Sequence, residues 1–264
     1  MRLLSAILVF CLCVFGTAQD WAKARLEKSP RHQEWVEVTN GTRKVKAFVV
    51  YPEVKGKAPV VILIHEIFGM SDWIKSVADD LAAEGYIAIA PDLLSGMGPG
   101  GGRTDSFEAS KITEAVSSLP PDQVTGDLNA VADYALTIPA GNRKISVAGF
   151  CWGGTQSFRF ATNRKDLSVA CVFYGSGPDD EEALKRINTP VLGFYGGNDA
   201  RIGATVPKTV EAMAKLGKHY EAITYTGAGH GFMRAGQMPD AGEENKAARD
   251  KAWTKWLSVL ARLR

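Results

Sequence analysis

The stretch Lys144-Ile145-Ser146-Val147-Ala148-Gly149-Phe150-Cys151-Trp152-Gly153-Gly154 constrains this chain more than any other. Ile145 to Ala148 is a short β-branched apolar run that reads as a buried strand, and a helix-compatible segment follows Gly154. Between them, Gly149-Phe150-Cys151-Trp152-Gly153 has the Gly-x-nucleophile-x-Gly pattern of a strand–turn–helix elbow, with cysteine where serine is commoner. The flanking glycines have a steric reason: the central residue sits on a strained turn, where side chains two positions away would strike neighbouring backbone. Taken alone, the pattern also fits a buried core cysteine at a strand end. The rest of the chain has to decide.

With 264 residues, 45% of them hydrophobic and 23% charged, the chain can bury a large core and suits one domain better than two. A net charge of +2, with no basic run interleaved with aromatics, argues against a nucleic-acid partner. The first residues differ from the rest. Met1-Arg2 is a short positive start, Leu3 to Phe15 is almost wholly apolar, and Gly16-Thr17-Ala18 supplies small residues before Gln19. This is the pattern of a signal peptide over residues 1–18 with cleavage after Ala18, and it predicts a secreted or periplasmic mature domain over 19–264. Its apolar core is too short to span a bilayer comfortably, so no stable membrane insertion is expected after cleavage, a retained anchor being the alternative. Neither Cys11 nor Cys13 has the small preceding residues of a lipoprotein site. Cleavage would leave Cys151 and Cys171. They fall in separate strand regions without a Cys-x-x-Cys spacing, so a bridge between them is the lesser reading. A free thiol in an oxidising compartment needs a purpose, and catalysis supplies one.

Along the chain, Glu34 to Thr39 and Arg43 to Tyr51 alternate polar and apolar residues around Asn40-Gly41, a strong hairpin signal that also explains the Asn40-Gly41-Thr42 acceptor pattern. From Pro59 onward, short apolar runs alternate with amphipathic segments. Val60 to Ile64 reads as a central parallel strand, and Ser71 or Asp72 caps a helix that ends at Gly85. Further strands are expected at Tyr86 to Ala90, Ser168 to Tyr174, Pro190 to Tyr195 and Tyr220 to Thr226. Helices are expected after Pro121, at Asp179 to Ile187, at Thr205 to Leu216 and around Trp253 to Leu260. The glycine run at Gly96 to Gly102 lacks the pattern of a phosphate loop and reads as a mobile rim. The fold class is therefore α/β: a three-layer α/β/α sandwich with a mostly parallel sheet of about eight strands and an antiparallel N-terminal hairpin.

In such a sheet, chemistry collects beyond the carboxyl ends of the strands. Those positions hold His65-Glu66, Asp92, Cys151, Asp199 and His230. A nucleophile, a carboxylate and a histidine follow in the order Cys151, Asp199, His230, which is the Ser…Asp/Glu…His order of the α/β-hydrolases with sulfur in place of oxygen. A thiol attacks as thiolate and needs a base; imidazole serves near neutral pH, and a carboxylate on its other nitrogen fixes the tautomer. The backbone N–H groups of Ile67, in the loop after the first parallel strand, and Trp152, next to the nucleophile, take the oxyanion-hole positions. His65-Glu66-Ile67-Phe68-Gly69 begins like a zinc-protease motif but lacks the second histidine and follows a strand. No metal site and no organic cofactor is expected.

These motifs together resemble the dienelactone hydrolase family over roughly Val60 to Leu260. The marks are His65-Glu66-Ile67-Phe68-Gly69, Ala90-Pro91-Asp92-Leu93, the Cys151 elbow, Gly196-Gly197-Asn198-Asp199 and Ala228-Gly229-His230-Gly231-Phe232. The resemblance implies the α/β-hydrolase fold, a Cys151–His230–Asp199 triad, and a Glu66 that contacts the resting thiol and helps to generate thiolate when substrate binds. It also implies that Arg234 pairs with a substrate carboxylate and that Tyr174 lines the pocket. The family's second carboxylate-binding arginine falls at Gly96 here, leaving Arg103, across the glycine run, as the candidate substitute. The expected activity is hydrolysis of a small-molecule ester or lactone, anionic if the arginine works as in the family. The rival readings are a ligand-binding protein without catalysis on the same fold and a structural or redox thiol protein.

Overall fold

The computed structural model describes residues 20–264, so the expected signal peptide and its cleavage site lie outside the described residues. A short helix, α1 (Asp20–Glu27), precedes a hairpin of β1 (Gln33–Asn40) and β2 (Arg43–Val50). Strands and helices then alternate: β3 (Ala58–Ile64), α2 (Asp72–Ala83), β4 (Ile87–Pro91), α3 (Ala109–Ser117), α4 (Pro121–Thr137), β5 (Gly141–Phe150), α5 (Trp152–Asn163) and β6 (Leu167–Phe173). The chain ends with α6 (Glu181–Lys185), β7 (Val191–Gly196), α7 (Ala200–Gly203), α8 (Val206–Lys215), β8 (Tyr220–Tyr225), α9 (Phe232–Ala235) and α10 (Glu243–Leu260).

The eight strands form one sheet in the order β1-β2-β4-β3-β5-β6-β7-β8. From β4 to β8 every neighbour is parallel, whereas β2 runs antiparallel to both β1 and β4. The hairpin expectation therefore holds, with a second antiparallel seam joining the hairpin to the parallel sheet. β3 shows why the sheet sits centrally. Val60, Ile62 and Ile64 pack into one apolar layer while Val61 and Leu63 pack into the layer on the opposite face. Both faces are buried, so the strand reads as a continuous apolar run. Burying each of these side chains is worth about 1.5–3 kcal/mol.

The strand order reverses at β3: the chain passes outward to β4 and then returns to β5 on the other side. Such a reversal opens a crevice beyond the carboxyl ends of the two diverging strands. β3 delivers His65 and Glu66 there, and β5 delivers Cys151. Beneath the crevice a run of aromatic rings fixes the strand ends. Phe150 stacks on Phe173 (4.7 Å between centroids), Phe173 stacks on Phe194 (4.4 Å), and Trp256 of α10 closes edge-on against Phe173 at 5.0 Å.

Two local findings revise the sequence reading. β5 begins at Gly141, ahead of the apolar run, because Gly141 pairs with Ala58 of β3; the register then shifts before Ile145 pairs with Val60. The glycine run, read as a mobile rim, closes on itself: the Gly98 N–H donates to Gly102 O at 3.0 Å, and side chains on either glycine would collide with Ser106. At the hairpin turn, Asn40 donates its side-chain amide to the fully buried Asp127 of α4 at 2.9 Å. Arg43 holds the same carboxylate at 2.8 Å and reaches Leu93 O at 2.8 Å. The turn is thereby tied both to α4 and to the loop after β4.

Candidate active site

Cys151 stands between β5 and α5 with φ +57° and ψ −118°, a conformation that costs a non-glycine residue about 1–3 kcal/mol. The surroundings hold it there. Its N–H donates to Phe173 O at 3.0 Å, and its carbonyl accepts from Gly154 N (2.9 Å) and Thr155 N (3.2 Å). A side chain on Gly149 would collide with the Gly153 carbonyl, and one on Gly153 with the carbonyls of Ile64 and His65. The glycines thus let α5 start against the ends of β3 and β5. The sulfur sits at the amino end of α5, half-buried, where aligned N–H dipoles favour an anion. Cys171 is a free, fully buried thiol in β6, and burial pushes its pKa far up.

Asp199, at the end of β7, is buried and divides its two oxygens. Oδ1 accepts from the Ile202 N–H at 3.3 Å and caps α7, while Oδ2 lies 2.5 Å from His230 Nδ1. A carboxylate can only accept, so the proton belongs on Nδ1 and the Nε2 lone pair is free to act as base. Hydrogen bonding to Cys151 is the largest cause that raises the His230 pKa above the ordinary histidine value; burial opposes it, and the bond to Asp199 adds to it. The His230 loop is fixed from three sides. Gly229 N–H donates to Asn245 Oδ1 of α10 at 3.0 Å, Asn198 N–H to Ala228 O at 2.9 Å, and the Tyr174 ring meets the imidazole edge-on at 5.1 Å. Asn245 carries no motif around it, and sequence reading passed it over; only its place on α10 opposite the loop reveals it.

Glu66 is buried at the end of the turn entrance after β3. Its Oε2 accepts from Arg234 Nε at 2.8 Å and its Oε1 lies 3.5 Å from the Tyr174 hydroxyl. Burial raises its pKa, and the Arg234 charge and hydrogen bond pull it back. The expected contact of Glu66 with the resting thiol is therefore not the bond it makes here: a buried carboxylate takes the stronger cationic donor. Arg234 also lies over the exposed Phe68 ring, 5.2 Å from its centroid. Tyr174 is fully buried with φ +42°, at the junction of Glu66, Arg234 and His230.

Ile67 follows Glu66 in a turn closed by the Gly69 N–H to Glu66 O bond (3.1 Å), and Trp152 opens α5 with its indole stacked on His65 at 5.6 Å. His65 is buried, and its Nδ1–H donates to Glu66 O at 2.8 Å. Desolvation lowers its pKa, so the ring is held neutral. Among the described residues, no group of three His, Cys, Asp or Glu side chains is placed to hold a metal ion, and no helix is long and apolar enough to cross a membrane. Arg103 stays apart from these residues in its contacts. Its guanidinium lies over the Trp35 ring of β1, 3.7 Å from the centroid, and bonds Asp105 at 2.8 Å and 3.1 Å. The reason is local: Asp105, two residues on, and the exposed indole together satisfy the charge.

Residues 45–263 match the sequence profile of the dienelactone hydrolase family. A Saccharolobus solfataricus protein provisionally assigned as a carboxymethylenebutenolidase is 32% identical over an alignment of 257 residues, which covers 83% of this chain and 95% of its own. A Salmonella typhimurium protein with the same provisional assignment is 32% identical over 216 residues, 78% of each chain. Among solved structures, a protein from Klebsiella pneumoniae, provisionally assigned as a dienelactone hydrolase, is similar at a TM-score of 0.75 and 28% identity, over 88% of this chain and 98% of that one. With its eight-stranded, mostly parallel α/β-hydrolase sheet, this chain belongs to the dienelactone hydrolase family, the hydrolases of ester and lactone bonds.

Proposed function

We propose that this chain hydrolyses small-molecule esters or lactones through a thioester on Cys151, with His230 as proton carrier and Asp199 as its orienting carboxylate. The observation that carries this reading is His230 held between Asp199 and Cys151 at a strained strand–helix elbow. His230 Nε2 takes the thiol proton as sulfur bonds to the carbonyl carbon, and the carbonyl π pair moves onto oxygen. The Ile67 and Trp152 N–H groups receive that oxyanion. Its collapse breaks the ester C–O bond, and the leaving oxygen takes the proton from His230. Water then repeats the sequence on the thioester, releasing the acid and restoring the thiol.

Arg234 makes small anionic substrates the preferred class. A substrate carboxylate that engages Arg234 draws away the charge that holds Glu66 down. Glu66 then takes up a proton more readily, and a neutral Glu66 no longer opposes the thiolate that forms as His230 takes the thiol proton. Rapid acid quench during turnover of a short p-nitrophenyl ester, followed by peptide mapping, is expected to find the acyl group on Cys151. An acyl group on another side chain, or product release with no covalent adduct, would overturn the mechanism.

The apolar stretch before Ala18 supports export of the mature domain to the periplasm or medium. Cell fractionation of the full-length protein is expected to recover a form that begins at Gln19 outside the cytoplasm; an uncleaved chain retained in the cytoplasm would refute export.

A further inference from the structure

The turn that carries Glu66, Ile67 and Phe68 is pinned from outside the triad. Thr104 lies in the segment where the glycine excursion after β4 returns to the sheet, and it is 5% exposed. Its Oγ1 accepts the Met70 N–H at 3.1 Å and spends its own proton on Asp92 Oδ1 at 2.7 Å. Asp92, itself buried at the end of β4, also takes the Thr104 N–H at 3.1 Å and the Leu94 N–H at 3.2 Å. The hydroxyl is therefore used fully: one proton given, one N–H received, in a direction that Asp92 fixes.

The contact is also steric. Gly69 has φ +68°, and a Cβ built on it would stand 2.7 Å from both Cγ2 and Oγ1 of Thr104. Thr104 thus lies against the turn's glycine and bonds the amide that follows it. At the other end, Glu66 O accepts from both Gly69 N (3.1 Å) and His65 Nδ1 (2.8 Å). Glu66 to Met70 is a short span clamped at each end, with the Ile67 amide between the clamps.

We infer that Thr104, aligned by Asp92, is a positioning residue for hydrolysis: it sets the Glu66–Met70 turn and through it the Ile67 oxyanion donor and the Glu66 carboxylate. This rests on the proposed role of Ile67. Neither Thr104 nor Asp92 touches the substrate; the pair acts by holding the turn, and displacement of an oxyanion donor costs turnover more than binding.

The test compares Thr104→Val, which keeps the shape and loses the hydroxyl, Thr104→Ala, and Thr104→Ser, which keeps the hydroxyl. Steady-state hydrolysis of a short p-nitrophenyl ester is measured well below each variant's melting temperature, with Cys151→Ala beside them. The expected result is a kcat lower by about tenfold or more in Thr104→Val and Thr104→Ala with KM within about twofold, and a kcat near wild type in Thr104→Ser. Full kcat in folded Thr104→Val beside an inactive Cys151→Ala overturns the positioning role and leaves the proposed mechanism intact. An active Cys151→Ala overturns the mechanism itself. Failure of both Thr104→Val and Thr104→Ala to fold would assign Thr104 to stability alone and overturn the inference.

Discussion

Cys151→Ala is expected to lower kcat/KM for a short ester by a factor on the order of 10⁴–10⁶ while leaving the fold intact. The loss is large because, in the proposed mechanism, His230 and Asp199 act by moving the sulfur's proton; without a nucleophile that transfer has no bond to make. The fold survives because Cys151 is held by its backbone bonds to Phe173 and Gly154 and not by its side chain. A companion change separates chemistry from strain. Cys151→Gly is equally inactive, yet glycine accepts φ +57° without penalty, so its melting temperature should equal or exceed that of Cys151→Ala. The same assay in wild type carries a pH signature. Only neutral His230 is a base, and its hydrogen bonds raise its pKa above 6.5, so activity rises with pH through a value above that of free histidine. Stability has the opposite sign. The fold favours the protonated ring, so this contribution is fully present below the unfolded value of 6.5 and is lost as pH rises through the folded pKa. An ester hydrolysis rate in Cys151→Ala within tenfold of wild type would remove cysteine from the mechanism.

How much of this was legible in the sequence follows from the range of the interactions involved. β3 and the elbow are local: an apolar run and paired glycines each record their own surroundings, so strand, turn and the place of Cys151 could be read directly. Asp199 and His230 were legible because strand ends are, and because both follow β7 and β8 in a fixed chain order. The partners of the polar groups were not. Glu66 and Arg234 stand 168 residues apart, and nothing in the spacing says that the carboxylate bonds the arginine and Tyr174 in place of the thiol. Arg103 shows the converse. A free cation near the glycine run was a reasonable candidate, but the chain supplies Asp105 two residues later and the Trp35 ring across from it. The closed glycine loop and the Thr104–Asp92 pair were invisible for the same reason: composition records flexibility, while side-chain bonds between loops decide whether it is used. The Asn245 bond to the His230 loop belongs to this class as well.

Gly153→Ala is expected to destabilise the protein by about 3 kcal/mol or more. Gly153 lies in the first turn of α5, and its α-carbon faces the end of β3. The added methyl would run into the carbonyl oxygens of Ile64 and His65, which are backbone atoms of the central strand and its exit and cannot swing aside. Relief requires α5 to move away from β3. That shift would carry the Trp152 amide off the Ile67 turn, so surviving folded protein should also lose turnover. Gly203→Ala is the matched control: Gly203 ends α7, its added methyl meets nothing within 4 Å, and alanine there should be neutral or gain up to about 1 kcal/mol. Denaturant unfolding of the two variants, read with hydrolysis of the same ester, measures both effects. A Gly153→Ala midpoint close to that of Gly203→Ala would mean that α5 can start farther from β3 than the elbow geometry requires, and the steric account of the Gly-x-Cys-x-Gly pattern would fall with it.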